Sequence, residues 1–171
     1  MAAAAVTVTS ASDLSNLLDQ DSYSYYYHLR DEEKTLIIDV SNPNPDFNGD
    51  IAAGFAGDDE DIPTLSGYTI TITEKGGNFG IDLIGAYNYS GSAATNNQVI
   101  FNNGTSYAKI IGGWASYNTE NNTVTISGGK VTDVYGGRSG QIATGNKVYI
   151  TGGEVLSDGH IYGGYNLIIT A

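Results

Sequence analysis

Cysteine is missing from the chain, so it holds neither a disulfide nor a thiolate metal site. Proline is scarce, with three residues in 171. Basic side chains are few beside acidic ones: 7 Lys and Arg against 19 Asp and Glu, for a net charge of −12. Nucleic-acid phosphates demand clustered cations, and an anionic bilayer surface attracts the same groups. The balance therefore argues against both partners. Long apolar runs are also lacking, and without eighteen consecutive apolar residues no helix of this segment inserts directly into a membrane. Met1 to Ala5 has no basic stretch followed by an apolar one, so it is no intact signal peptide, and it reads as the start of a mature segment with an added Met.

Glycine and tyrosine are plentiful, at 23 and 13 residues. So much glycine without a period of three points to many tight turns. A hydrophobic content of 40% suffices for one continuous core.

The chain repeats itself. Asn97-Gln98-Val99-Ile100-Phe101, Asn122-Thr123-Val124-Thr125-Ile126 and Asn146-Lys147-Val148-Tyr149-Ile150 align. Each leads on to a second landmark: Ile110-Ile111-Gly112-Gly113-Trp114, Val134-Tyr135-Gly136-Gly137-Arg138 and Ile161-Tyr162-Gly163-Gly164-Tyr165. Looser copies run from Ile70-Thr71-Ile72 to Leu83-Ile84-Gly85-Ala86-Tyr87, and from Leu36-Ile37-Ile38 to Ile51-Ala52-Ala53-Gly54-Phe55. Alternation with period two and abundant β-branched residues make these strands. A unit of about 24–32 residues is too short for a propeller blade, and the leucine-rich frame is absent. Stacked coils about 4.8 Å apart fit. The fold class is all-β, a right-handed parallel β-helix, with residues 35–171 forming roughly five rungs. Asn97, Asn122 and Asn146 recur two residues before the first inward Val, where they suit left-handed turns and an amide ladder. The glycine pairs are expected at corners.

Residues 1–34 differ. Val6-Thr7-Val8 is a short strand, and Ser10 with Asp13 three residues on resembles a capping box. Leu14, Leu17 and Leu18 share a helical face. A short amino-terminal capping helix over the first rung is predicted, as terminal repeats require. Leu167-Ile168-Ile169-Thr170 looks like the opening of another rung, so the solenoid is expected to continue past this segment.

The blocks Asn122 to Gly129 and Val134 to Gly137 resemble repeats in the passenger domains of bacterial autotransporter (type V secreted) adhesins, over most of residues 65–171. The resemblance implies a cell-surface or secreted location on a Gram-negative bacterium and tethering by a carboxyl-terminal barrel. It also implies adhesion, autoaggregation or biofilm formation, with a host or bacterial surface protein or glycan as partner and self-association as an option.

Chemistry-bearing groups are sparse. Asp50, Asp82 and Asp133 occupy one recurrent position shared with Lys109 and His160, and read as a charged solvent face. Paired carboxylates across a groove would instead suit a polysaccharide lyase or glycosidase. Asp58-Asp59-Glu60-Asp61 is a weak calcium candidate that lacks the alternating ligands of an EF-hand loop. His28 and His160 have no evident partner, and no nucleophile elbow occurs. Aromatic residues are the surplus: Tyr23, Tyr25, Tyr26 and Tyr27 cluster, while Phe55, Tyr87, Trp114 and Tyr165 share one landmark and form a stripe. Exposed, the stripe would contact a sugar or a protein; buried, it would be an internal aromatic stack. Arg138 at the same position favours partial exposure. No catalytic residue, cofactor or metal ligand is assigned otherwise. The expectation is a non-catalytic adhesive segment, against two alternatives: a polysaccharide-active enzyme or a pure structural stalk.

Overall fold

The computed structural model describes residues 4–20, 26–30, 32–40, 49–57, 64–89 and 93–167. Three sheets run along the molecule, and each turn of chain contributes a strand to them in sequence. The first sheet stacks six parallel strands, Val6–Val8, Thr35–Ile38, Thr69–Ile72, Gln98–Phe101, Thr123–Ile126 and Lys147–Ile150. The second holds Thr64–Ser66, Ala93–Thr95, Asn118–Glu120 and Ile142–Thr144. The third is built on Asp50–Ala56, Leu83–Asn88, Thr105–Ala115, Lys130–Ser139 and Ile161–Asn166. Among the described residues, every ladder is parallel apart from one antiparallel pair, Asp19–Gln20 with Tyr26–His28. This is a β-solenoid of about five turns.

Val6, Leu36, Ile70, Val99, Val124 and Val148 lie in one register column, so successive turns take 30, 34, 29, 25 and 24 residues. The expected spread was narrower at its upper end. A second column runs Val8, Ile38, Ile72, Phe101, Ile126 and Ile150. The alternation of period two sends both columns inward. Stacking is what dries them: Ile126 is fully buried, whereas Ile150, with no coil above it among the described residues, is 44% exposed. Burying one such side chain contributes about 1.5–3 kcal/mol, so each added coil stabilises the one beneath it.

The helix spans Ala11–Leu17 with Ser10 as N-cap, and the Asp13 carboxylate accepts the main-chain N–H groups of Thr9 and Ser10 at 2.7 and 2.9 Å. Leu14 and Leu18 enter the core beside Val8. Leu17 does not, contrary to the expected face of three leucines; it stays 37% exposed because only the spacing of four points at the coil.

The asparagine ladder is present. Asn97 donates its amide N–H to Asn122 Oδ1 at 3.0 Å, and Asn122 does the same to Asn146 at 2.9 Å. The same oxygens accept the main-chain N–H groups of Asn97 and Asn122, at 2.9 and 3.0 Å. The remaining amide protons reach Leu65, Ala94 and Thr119 carbonyls. Left-handed geometry falls one residue earlier than expected, on Asn96 (φ 56°) and Asn121 (φ 54°), with Gly67 and Gly145 at the same step of neighbouring coils. That twist is what turns the following asparagine inward.

The pairs Gly112-Gly113 and Gly136-Gly137 sit inside strands and not at corners. A Cβ on Gly112 or Gly136 would fall on the carbonyl oxygen of the next coil, and one on Gly113 or Gly137 would fall on the Asn122 or Asn146 amide. Glycine is there to let the third sheet approach the ladder. Gly129 and Gly153, by contrast, do occupy turns with positive φ.

Replacing Asn122 with Ala strands the amide donors of Asn97 and the Ala94 carbonyl, and is expected to cost about 2–4 kcal/mol in urea unfolding. Gly113→Ala alone should also destabilise, by about 1–3 kcal/mol. Because the added methyl group enters the space of the Asn122 amide, the double variant should lose at least about 1 kcal/mol less than the sum. Strict additivity would show that the two positions do not meet.

Candidate functional site

The third sheet turns a second set of side chains outward, and these form the most distinctive surface of the molecule. Phe55, Tyr87, Trp114, Arg138 and Tyr165 occupy one register column, one residue per coil. Three positions earlier, Ala52, Ile84, Ile111, Tyr135 and Tyr162 form a parallel column. Ala52, Ile84 and Ile111 point away from the inner core yet are fully buried, because neighbouring aromatic rings roof them over.

The rings pack on each other along the solenoid axis. Tyr87 and Trp114 have centroids 4.5 Å apart, and Tyr135 stacks on Tyr162 at 5.2 Å with planes 13° apart. The Arg138 guanidinium lies over the Trp114 ring, 4.3 Å from its centroid. Such offset pairs contribute about 0.5–1.5 kcal/mol each beyond their area. Phe55, Tyr87 and Trp114 are thus packed against one another, while Tyr165, beyond Arg138 in the same column, meets only the rings of Tyr135 and Tyr162 among the described residues. Phe55, Trp114, Arg138 and Tyr165 keep part of their surface in solvent, while Tyr87 is 8% exposed.

Two contributors were not visible in the repeat. Tyr26 comes from a short strand added below the first coil, and its ring sits 5.2 Å from Phe55 and 5.0 Å from Tyr87. Burial, followed by the neighbouring Tyr87, raises its phenol well above the ordinary range, so the hydroxyl keeps its proton. His28, expected to be solitary, stacks on Phe55 at 5.4 Å with Nδ1 at 3.0 Å from the Leu29 carbonyl. The Val-Tyr-Gly-Gly and Ile-Tyr-Gly-Gly blocks do carry a signal for Tyr135 and Tyr162: the residue before the small pair lands on this outer face. Tyr23 and Tyr25 lie outside the described residues, as do Asp58, Asp59, Glu60 and Asp61. Among the described residues no three His, Asp or Glu side chains gather closely enough to hold a metal ion.

Asp50, Asp82 and Asp133 are not the solvated face that their position suggested. Each carboxylate accepts the main-chain N–H of the residue one coil later: Asp50 from Asp82 at 2.8 Å, Asp82 from Lys109 at 2.9 Å, Asp133 from His160 at 3.0 Å. The second oxygen of Asp82 meets the Lys109 ammonium at 3.4 Å, and the His160 Nδ1 lies 3.2 Å from Asp133. The carboxylates thus satisfy main-chain amides of the next coil. Asp82 has both oxygens occupied and is 8% exposed.

Asp50 is the strained member. Burial raises its carboxyl above the ordinary value, outweighing the hydrogen bond from Asp82 that lowers it, and the Asp82 charge raises it further. A raised carboxyl binds its proton more readily when folded than unfolded. Its contribution is therefore favourable at acid pH and is lost as pH rises through the folded value. Asp50→Asn keeps an acceptor for the Asp82 amide. It should raise the unfolding temperature at pH 7 and lose that advantage at acid pH, while the exposed Asp158→Asn changes little at either. An equal gain at both pH values would contradict the origin assigned to the shift.

Comparison with protein-family models, with curated protein sequences and with solved structures finds no match to this chain.

Proposed function

We propose that the chain is a non-catalytic segment of a secreted or cell-surface bacterial adhesin, of the kind carried by autotransporter passengers, whose outer aromatic face contacts a surface protein or glycan. The observation that carries this reading is the aromatic column on the third sheet: rings and one guanidinium in register over five coils, partly open to solvent. Exposed aromatic side chains with polar tips supply contact area at small entropic cost, and aromatic and Arg residues are the usual anchors of recognition surfaces.

The carboxylates support the non-catalytic side. Hydrolysis of a glycosidic bond uses one acid and one base or nucleophile flanking the same bond. Asp50, Asp82 and Asp133 are committed to main-chain amides of neighbouring coils, and Asp82 is further neutralised by Lys109. A rigid column of stacked coils also suits a part that must hold a contact surface away from the cell.

Beads coated with the folded chain should adhere to epithelial or bacterial cells, or to one another, above uncoated beads. The same preparation should release no new reducing ends from a panel of neutral and acidic polysaccharides. Cleavage without adhesion would replace this reading by the enzymatic one. Neither activity would leave a stalk without a contact role.

A further inference from the structure

Five of the seven basic side chains meet a neighbour, and the other two differ sharply in burial. Of the seven basic residues, Arg30, Lys75, Lys109 and Lys130 sit in ion pairs with Asp19, Asp39, Asp82 and Glu154. Lys34 donates to the Ser66 carbonyl and covers the Tyr68 ring. Lys147 is exposed on the first sheet. Arg138 stands apart: half-buried, it makes no ion pair and no hydrogen bond with a described residue, although the chain carries 19 acidic side chains. Its guanidinium carbon lies 4.3 Å from the centre of the Trp114 ring, and none of its N–H groups meets an acceptor among the described residues. A guanidinium placed over a ring with its donors unspent can give two parallel hydrogen bonds to a carboxylate.

The coil above supplies the second feature. Tyr165 is the register partner of Arg138. Its ring stands at 74° to Tyr135 and 62° to Tyr162, whereas those two stack flat on each other. The upright ring is outside the axial stack. It lies on the strand next to Arg138, at the same register position, and keeps part of its surface in solvent. Burial, then the charge of Asp133, raises the Tyr135 phenol, so it too remains a proton donor at neutral pH.

We propose that Arg138, Trp114 and Tyr165 form a binding site for a terminal carboxylate-bearing sugar of a glycan. The carboxylate takes the N–H edge of Arg138, the C–H side of the pyranose rests on Tyr165, and the tyrosine hydroxyls meet the sugar hydroxyls. This deepens the adhesive reading and rests on it. A ligand with a single negative charge is the fit. A polyanion would meet the field of a chain with net charge −12, whereas one carboxylate beside Arg138 feels mostly its immediate surroundings, since screening at physiological salt acts over about 8 Å. The nearest described acidic neighbour on the strand, Asp133, is already engaged by His160.

Trp114 is the only tryptophan and lies under the guanidinium, so its fluorescence reads the site directly. Titration with sialyllactose should give a saturable change. Lactose and an N-acetylated glutamyl dipeptide should give none. Arg138→Met keeps an aliphatic stem over Trp114 and should weaken sialyllactose binding at least ~10-fold, with Arg138→Lys intermediate because it keeps charge without the planar fork. No saturable change overturns the proposal, as does an equal response to lactose, or undiminished binding by Arg138→Met. An equal response to the dipeptide assigns the site to an acidic peptide and equally overturns it. If coated beads adhere but sialyllactose does not bind, the sugar site falls while the adhesive reading stands. If the beads do not adhere, that wider reading falls by itself.

Discussion

Each turn of this chain must return to a point about 4.8 Å above its start, with the same kind of side chain facing the same way. That single constraint explains most of the residues. It demands β-branched and aliphatic groups at Val99, Val124 and their column. It favours an asparagine at 97, 122 and 146, because the amides of Asn97 and Asn122 each give one hydrogen bond to the asparagine of the next coil and another to a carbonyl. It also demands glycine opposite the ladder, where any Cβ would meet the Asn122 or Asn146 amide. The ladder and the glycine pairs are one device seen from two sides. A buried asparagine left without its neighbour would cost about 1–3 kcal/mol per orphaned group, so the column holds as a unit.

The outer face obeys the same rule with different chemistry. Once register is fixed, any residue type repeated at one position becomes a stack. Rings repeated at the Phe55 position become an aromatic ladder, and acids repeated at the Asp50 position become caps for the next coil's amides. Neither needs a ligand to account for its existence. What departs from the rule is Arg138, a cation in an aromatic column that rests on Trp114 without a carboxylate, and that departure is where a binding role is most economically placed.

The inner columns were legible because Val, Ile and Leu alternate with polar residues in every copy, and because loop insertions leave the landmarks intact. The asparagine positions were legible as a recurrence, but the left-handed step sits on Asn96 and Asn121, and only the backbone shows it. The stripe of Phe55, Tyr87, Trp114 and Tyr165 followed from the same alignment. Tyr26 did not, since it enters from a segment that belongs to no repeat and reaches the stripe only through its pairing with Asp50. The acidic column departs from its sequence expectation for a general reason. An aspartate before an aliphatic residue looks solvated in sequence, and only the coil above reveals the N–H group it accepts. Leu17 shows the limit of helical-face reasoning in a helix of seven residues, where a single turn decides which leucines meet the core.

Register between coils is the claim on which the rest stands, and the chain's lack of cysteine allows it to be tested cleanly. Ile100 and Thr125 are outward partners on the first sheet, and directly opposed strand residues lie within reach of a disulfide. Oxidation of the Ile100→Cys/Thr125→Cys variant should give a single intramolecular crosslink, with Ile100→Cys/Ser127→Cys giving far less. Preferential crosslinking of the second pair would place the coils out of register and contradict the ladder, the glycine approach and the aromatic column together.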